Sequence, residues 1–236
     1  HLRPRRQRQM CIRDRDVIRA NEGAYWKGSN PMTYTVELFN GHDLSGWKDH
    51  KNPHLWAVED GMIVCTAETG KMSNLSTEAQ YGDFVLTLEY NADAKVNSGV
   101  FLRVSDLEDE VHTGLEIQIL DTYGKEPPLS KNDSGALYDM IAPSSNALRP
   151  AGEWNQMRMC CEGARVEVEL NGVQVVEADL HQFDTPGMNP DGTKNKFKYA
   201  WKTMPRAGHI GLQTHGGMDG VSDVKIRFRN LVLKTL

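Results

Sequence analysis

Little in this chain favours a membrane, a disulfide framework, a zinc cage or a nucleic acid. No apolar run in its 236 residues approaches the roughly twenty needed to span a bilayer. Its four cysteines, Cys11, Cys65, Cys160 and Cys161, lack metal-ligand spacing and are too few to staple a fold. Cys160 and Cys161 are adjacent, so a strand would send them to opposite faces, where they read as small hydrophobes. Lysines and arginines beyond residue 16 are scattered and the net charge is −5, so no basic stripe offers itself to a phosphate backbone. An amphipathic helix of any length is missing too. What remains is an all-β chain, long enough as one large domain to bury about 70% of its unfolded surface.

Residues 1–16 stand apart. They hold six arginines and two aspartates with no hydrophobic period and no turn logic, and Met10-Cys11-Ile12-Arg13-Asp14 resembles the in-frame translation of a sequencing-library adapter. The tract is read as such an artefact or as a disordered basic tail, and in either case is set aside from the fold. Removing its +4 from −5 leaves the rest at −9. Residues 17–34 then form an N-terminal extension, and residues 35–236 a single β-sandwich domain.

From Thr35 onward, short period-two runs alternate with Gly, Asn, Asp and Pro. Phe84, Leu86, Leu88 and Tyr90 make one apolar stripe, and Val166, Val168 and Leu170 another. The second run meets Asn171-Gly172, a strong two-residue hairpin signal. Trp56 to Val64 repeats the grammar around Asp60-Gly61, and Gly208–Gln213 and Val224–Leu233 add two late strands. Tyr123–Leu148 and His181–Lys198 break the rhythm as long loops, which in compact β domains commonly carry function. About a dozen strands without internal repeats predict a two-sheet jelly-roll sandwich.

The chemistry concentrates in two runs, Asn97-Ser98-Gly99-Val100-Phe101-Leu102-Arg103 and Gly114-Leu115-Glu116-Ile117-Gln118-Ile119-Leu120-Asp121. Leu115, Ile117 and Ile119 face one way; Glu116 and Gln118 face the other, about 7 Å apart at the usual strand rise. Gly99, Phe101 and Arg103 share the corresponding face of the first run. Paired, the strands would set a carboxylate, an amide, a guanidinium and an aromatic ring on one surface, the outline of a sugar site. Solvated decoration is the plain reading of any one of these residues alone. Two-carboxylate glycoside hydrolysis needs a second acid, yet the alternate position is Gln118, and Asp121 has the wrong parity unless a bulge intervenes.

His215, beside Gly216 and Gly217 and two residues from Gln213, is a candidate acid-base group or metal ligand. His112, just before the loaded strand, is another candidate ligand, to be joined with Glu116. Trp201, at the end of the second long loop, and Trp47 are candidate stacking surfaces for a pyranose, although large aromatics are packing residues first.

Leu38 to Trp47, Trp56 to Gly61, Asn97 to Arg103, Glu116 to Asp121, Trp154-Asn155, Asn171-Gly172, Gly208 to Gln213 and Phe228-Arg229-Asn230 together resemble the 3-keto-disaccharide hydrolase domain family, in the family's order over Val36–Leu236. The resemblance implies a concanavalin A-like lectin/glucanase jelly roll that cleaves glycosides already oxidised at C3, by hydrolysis or 1,2-elimination. A C3 ketone acidifies the C2 proton, so a single base suffices. On this reading Glu116 is the base or a metal ligand. Gln118, Arg103 and His215 polarise the ketone or bind hydroxyls, and Tyr138 protonates the leaving group. Asn97, Ser98, Phe101, Asp121, Gln213, Trp201 and Trp47 contact substrate. A divalent ion such as calcium or manganese is the one cofactor expected. An upstream 3-dehydrogenating oxidoreductase is the implied partner, and an extracytoplasmic location the implied setting; the foreign tract occupies the place of any export signal. A non-catalytic lectin-like module and a conventional sandwich glucanase are the alternatives.

Overall fold

The computed structural model describes residues 33–49 and 51–236. The 1–16 tract and nearly all of the 17–34 extension lie outside the described residues.

Among the described residues thirteen strands form two antiparallel sheets: β1 Thr35–Glu37, β2 Trp47–Lys48, β3 Trp56–Glu59, β4 Met62–Thr66, β5 Ser73–Thr77, β6 Phe84–Ala92, β7 Val96–Val104, β8 Leu115–Leu120, β9 Trp154–Glu162, β10 Arg165–Leu170, β11 Val173–Asp179, β12 His209–Gly217 and β13 Lys225–Thr235. The larger sheet runs β11-β10-β9-β6-β13-β4-β3, with β1 also on β13; the smaller runs β2-β5-β12-β7-β8. This is the expected jelly-roll sandwich. The two late strands part company, β12 joining the small sheet and β13 the large one.

The alternation dictates the core. Phe84, Leu86, Leu88 and Tyr90 of β6, Met157, Met159 and Cys161 of β9 and Phe228 and Leu233 of β13 are buried against Val100, Leu102, Leu115, Ile117, Ile119, Ile210 and Leu212 of the small sheet. Burying such stripes contributes about 25 cal/mol per Å² of apolar surface, the main term holding the two layers together. The two hairpins expected from the sequence take positive φ at both central residues, +50° and +72° at Asp60-Gly61 and +52° and +80° at Asn171-Gly172, the geometry whose twist suits the strands. Cys65 and Cys161 are buried thiols and Cys160 is half-buried.

With one face of the small sheet buried on the core, its other face is free for a site. A single helical turn, α1 (Glu110–Thr113), folds back toward that face. Glu110 pins it there, accepting from Lys51 Nζ at 3.1 Å, Asn74 Nδ2 at 2.6 Å and Ser76 Oγ at 3.2 Å.

Candidate active site

Strands β7 and β8 are neighbours, with Phe101 opposite Glu116 and Gly99 opposite Gln118. Strand β12 flanks β7 on its other side, Gln213 opposite Gly99, and β5 follows with Asn74 opposite Gln213. One row across the outer face therefore reads Asn74, Gln213, Gly99, Gln118. Beyond β8 the first long loop supplies a further pairing: Tyr138 N–H donates to Glu116 O at 2.9 Å, Gln118 N–H to Ala136 O at 3.0 Å and Gly135 N–H to Gln118 O at 2.8 Å. Leu137 pairs with Ile117, so Tyr138 stands next to Glu116 on the same face.

A cavity of about 220 Å³ opens there, lined on its polar side by Asn97, Glu116, Gln118, Asn132, Tyr138, Lys196, Gln213 and His215. Met72, Val111 and Leu120 complete it. Glu116 is the one carboxylate of this lining. It is buried, and burial pushes its carboxyl up to about 7; the nearby Lys196 ammonium and the Gln213 amide pull the other way and lose. Gly99 makes the room. A methyl group there would lie 3.0 Å from Glu116 Oε1 and 3.3 Å from Gln213 Oε1.

Gln118 donates from Nε2 to Asn97 Oδ1 at 3.0 Å, which leaves its oxygen turned inward. The Gln118 and Gln213 side-chain oxygens are both buried without a partner among the described residues. Two orphaned acceptors each carry a desolvation cost of about 1–3 kcal/mol until a donor arrives, and hydroxyl groups are fitting donors.

Lys196 reaches the cavity from the second long loop. Its backbone N–H donates to Asp139 Oδ2 at 2.7 Å, and its Nζ lies 4.0 Å from the Tyr138 ring centroid. The residue is exposed, yet desolvation lowers the lysine's pKa against the opposing pull of Glu116 and Asp139. Tyr138 is pushed up by burial and then by the negative charge of Glu116 and Asp139. The same loop is clasped to the α1 segment by Lys198 Nζ, 3.0 Å from Asp109 Oδ2, and by His112 set edge-on to Phe197 at 6.4 Å.

Six expected site residues are placed elsewhere. Arg103 falls at a bulge where three steps of β7, Phe101 to Val104, span two steps of β12, His209 to Gly211. Its φ of +54° swings the chain, and the guanidinium donates to Gly82 O, Gly163 O and Asp83 Oδ1, away from the cavity. Ser98 points with Val100 toward the core and donates to the Gln213 backbone carbonyl at 2.5 Å. Asp121 accepts from the Lys95 backbone N–H at 2.8 Å, as its parity demands. Phe101 does face outward but is only 1% exposed, covered by the Gly114 segment. Trp201 packs edge-on to Phe197 at 5.1 Å, and Trp47 is a core residue donating to Leu38 O at 2.6 Å. Neither offers a ring face to a sugar.

Among the described residues no three His, Cys, Asp or Glu side chains converge. Of the expected metal ligands, Glu116 and His215 both line the cavity, while His112 stands edge-on to Phe197.

Residues 35–234 match the family model of the 3-keto-α-glucoside-1,2-lyase-like domain. The chain belongs to that family. A 3-keto-disaccharide hydrolase of Bacteroides thetaiotaomicron is 24% identical over 233 residues, 85% of this chain and 78% of that protein. Among solved structures, a provisionally assigned glycosyl hydrolase of Parabacteroides distasonis superposes with a TM-score of 0.69 at 30% identity, covering 80% of this chain and 99% of its own. A second from the same organism reaches 0.65 at 26%, covering 86% and 94%.

Lys196, Asn132, Met72, Val111 and Leu120 line the cavity without having been singled out. The signal for Lys196 was weak but present: it sits in a long loop, within Lys194-Asn195-Lys196-Phe197-Lys198, a run of cations interleaved with one aromatic.

Proposed function

We propose that this domain cleaves glycosides already oxidised to a ketone at C3, with Glu116 as the base that removes the C2 proton. The observation that carries the reading is a sugar-sized cleft containing one carboxylate, buried and pushed up to about 7. Hydrolysis by paired carboxylates needs two acids facing each other across the bond. Here the position two residues along the strand is Gln118, and Glu110, although buried nearby, is held by Lys51, Asn74 and Ser76. A carboxylate with a pKa near neutrality is matched to taking a proton from carbon activated by a neighbouring carbonyl. The family and the name of the Bacteroides relative support the same substrate class.

The step balances without a cofactor. Glu116 takes the C2 proton, the C–H electron pair becomes the C2–C3 double bond of an enolate, and its collapse expels the aglycone from C1. Tyr138, beside Glu116, gives its proton to the departing oxygen. Addition of water to the resulting unsaturated ketone makes the net reaction a hydrolysis. The substrate has to come from an enzyme that oxidises the C3 alcohol, so the reaction that feeds this domain is that of a 3-dehydrogenating oxidoreductase. None of the described helices is long and apolar enough to cross a membrane.

The test is turnover of a 3-keto glucoside beside its unoxidised parent, with wild type and Glu116→Gln. Cleavage of the ketone alone, a primary isotope effect with deuterium at C2 and loss of turnover in the variant are the expected results. Cleavage of the parent, or full activity in Glu116→Gln, would sink the reading.

A further inference from the structure

We propose that Lys196 is the catalytic residue that binds the ketone oxygen and stabilises the enolate; the proposal rests on the 3-keto reading of the same cleft. The argument is one of hydrogen-bonding polarity. A ketone oxygen only accepts. Of the side chains lining the cavity, Asn97, Gln118, Asn132, Tyr138, Gln213 and His215 can each donate or accept, and Glu116 as a base only accepts. Lys196 alone carries donors and no acceptor.

Both glutamine oxygens lie buried and without a donor among the described residues. A ketone set against them would leave three acceptors facing one another, so sugar hydroxyls belong there. The ketone is left for the opposite side. Lys196 Nζ has no hydrogen-bond or ion-pair partner among the described residues and rests only on the faces of Tyr138, at 4.0 Å, and Phe197, at 5.9 Å. Its backbone is tied down by the bond to Asp139 and by the neighbouring Lys198–Asp109 clasp. An ammonium with free donors, in the cleft that contains the base, suits an oxygen that gains charge as the proton leaves.

In chemical terms, the C2 proton passes to Glu116, the electron pair moves into C2–C3, and the C3 oxygen becomes an enolate oxygen paired with the ammonium. No bond to nitrogen forms. Reversal of that step without a leaving group at C1 would exchange the C2 hydrogen with solvent.

The experiment therefore uses 1,5-anhydro-3-keto-glucitol, which has the ketone but no aglycone, in deuterated water, followed by NMR for loss of the C2 proton. Wild type should catalyse exchange. Lys196→Met should slow it by about 10²–10³-fold, the usual loss on removing one oxyanion donor, while Lys196→Arg should retain a measurable part. Binding of unoxidised 1,5-anhydroglucitol, read by calorimetry, should persist in Lys196→Met and report an intact cleft. Exchange in Lys196→Met within about threefold of wild type overturns the role of Lys196 and leaves the substrate class standing. Absence of exchange in wild type, together with no cleavage of a 3-keto glucoside, overturns both.

Discussion

Gly99 lies directly beneath Glu116: a single methyl group on its α-carbon would come within 3.0 Å of the carboxylate's Oε1 and 3.1 Å of its Cγ. A contact that short forces one partner to give by a few tenths of an ångström. Glu116 is the partner able to move, because Gly99 is fixed in the ladder between Gln118 and Gln213.

Gly99→Ala should therefore displace the base without unfolding the sheet. The expected outcome is a loss of kcat on a 3-keto glucoside of about 10-fold, below the 10²-fold scale of a full 1 Å misplacement, with a melting temperature within a few degrees of wild type. Steady-state kinetics and calorimetry on the same preparation check it. Unchanged kcat would mean that the position of Glu116 is not what the reaction needs.

The raised pKa of Glu116 sets opposite demands on activity and stability. The base must be ionised, so kcat/KM should rise with pH through about 7 and level off above it. The folded state, however, holds the Glu116 proton more tightly than the unfolded chain, whose value is 4.5. Stability conferred by that proton is full below 4.5 and is lost as pH rises through about 7, a span worth on the order of 3 kcal/mol. Glu116→Gln should then abolish turnover, match wild type in stability at pH 5 and exceed it at pH 8. Urea unfolding at the two pH values decides the matter; a variant no more stable at pH 8 contradicts the burial argument.

Strand alternation made the core, the sheet pairing and half of the cleft legible in the sequence, because a period of two assigns each side chain a face. Glu116, Gln118, Asn97 and Gln213 were found that way. Arg103 was lost because one bulge changes parity, and nothing in Phe101-Leu102-Arg103-Val104 announces a bulge. Trp201 and Trp47 were misplaced for a different reason: composition says that an indole is present, not whether other rings already cover its face. Lys196 escaped because a loop has no period, so only the folded chain brings residue 196 to residue 138.

Arg103 now belongs to stability. Its guanidinium, 2% exposed, joins the Gly82 and Gly163 carbonyls to Asp83 and ties the start of β6 to the β9–β10 turn. Arg103→Met should leave the Gly82 and Gly163 carbonyls without their donor and Asp83 with only the Gly163 N–H, and cost about 3 kcal/mol. KM for the 3-keto glucoside should stay within about twofold at a temperature where the variant is folded. A large rise in KM with unchanged stability would return Arg103 to the substrate site.

Tyr138 is the remaining group whose role depends on the leaving aglycone. If its phenol protonates the departing oxygen, the need for it grows as that oxygen becomes more basic. Tyr138→Phe should lose about 10²-fold in kcat on a 3-keto disaccharide, yet little on a 3-keto glucoside with a nitrophenol leaving group, which departs unprotonated. The ring itself is retained, so Lys196 keeps the surface on which its ammonium rests, at 4.0 Å from the centroid. A plot of log kcat against leaving-group pKa should be nearly flat for wild type and steeply negative for Tyr138→Phe. Parallel lines would show that the hydroxyl acts in binding rather than as the acid.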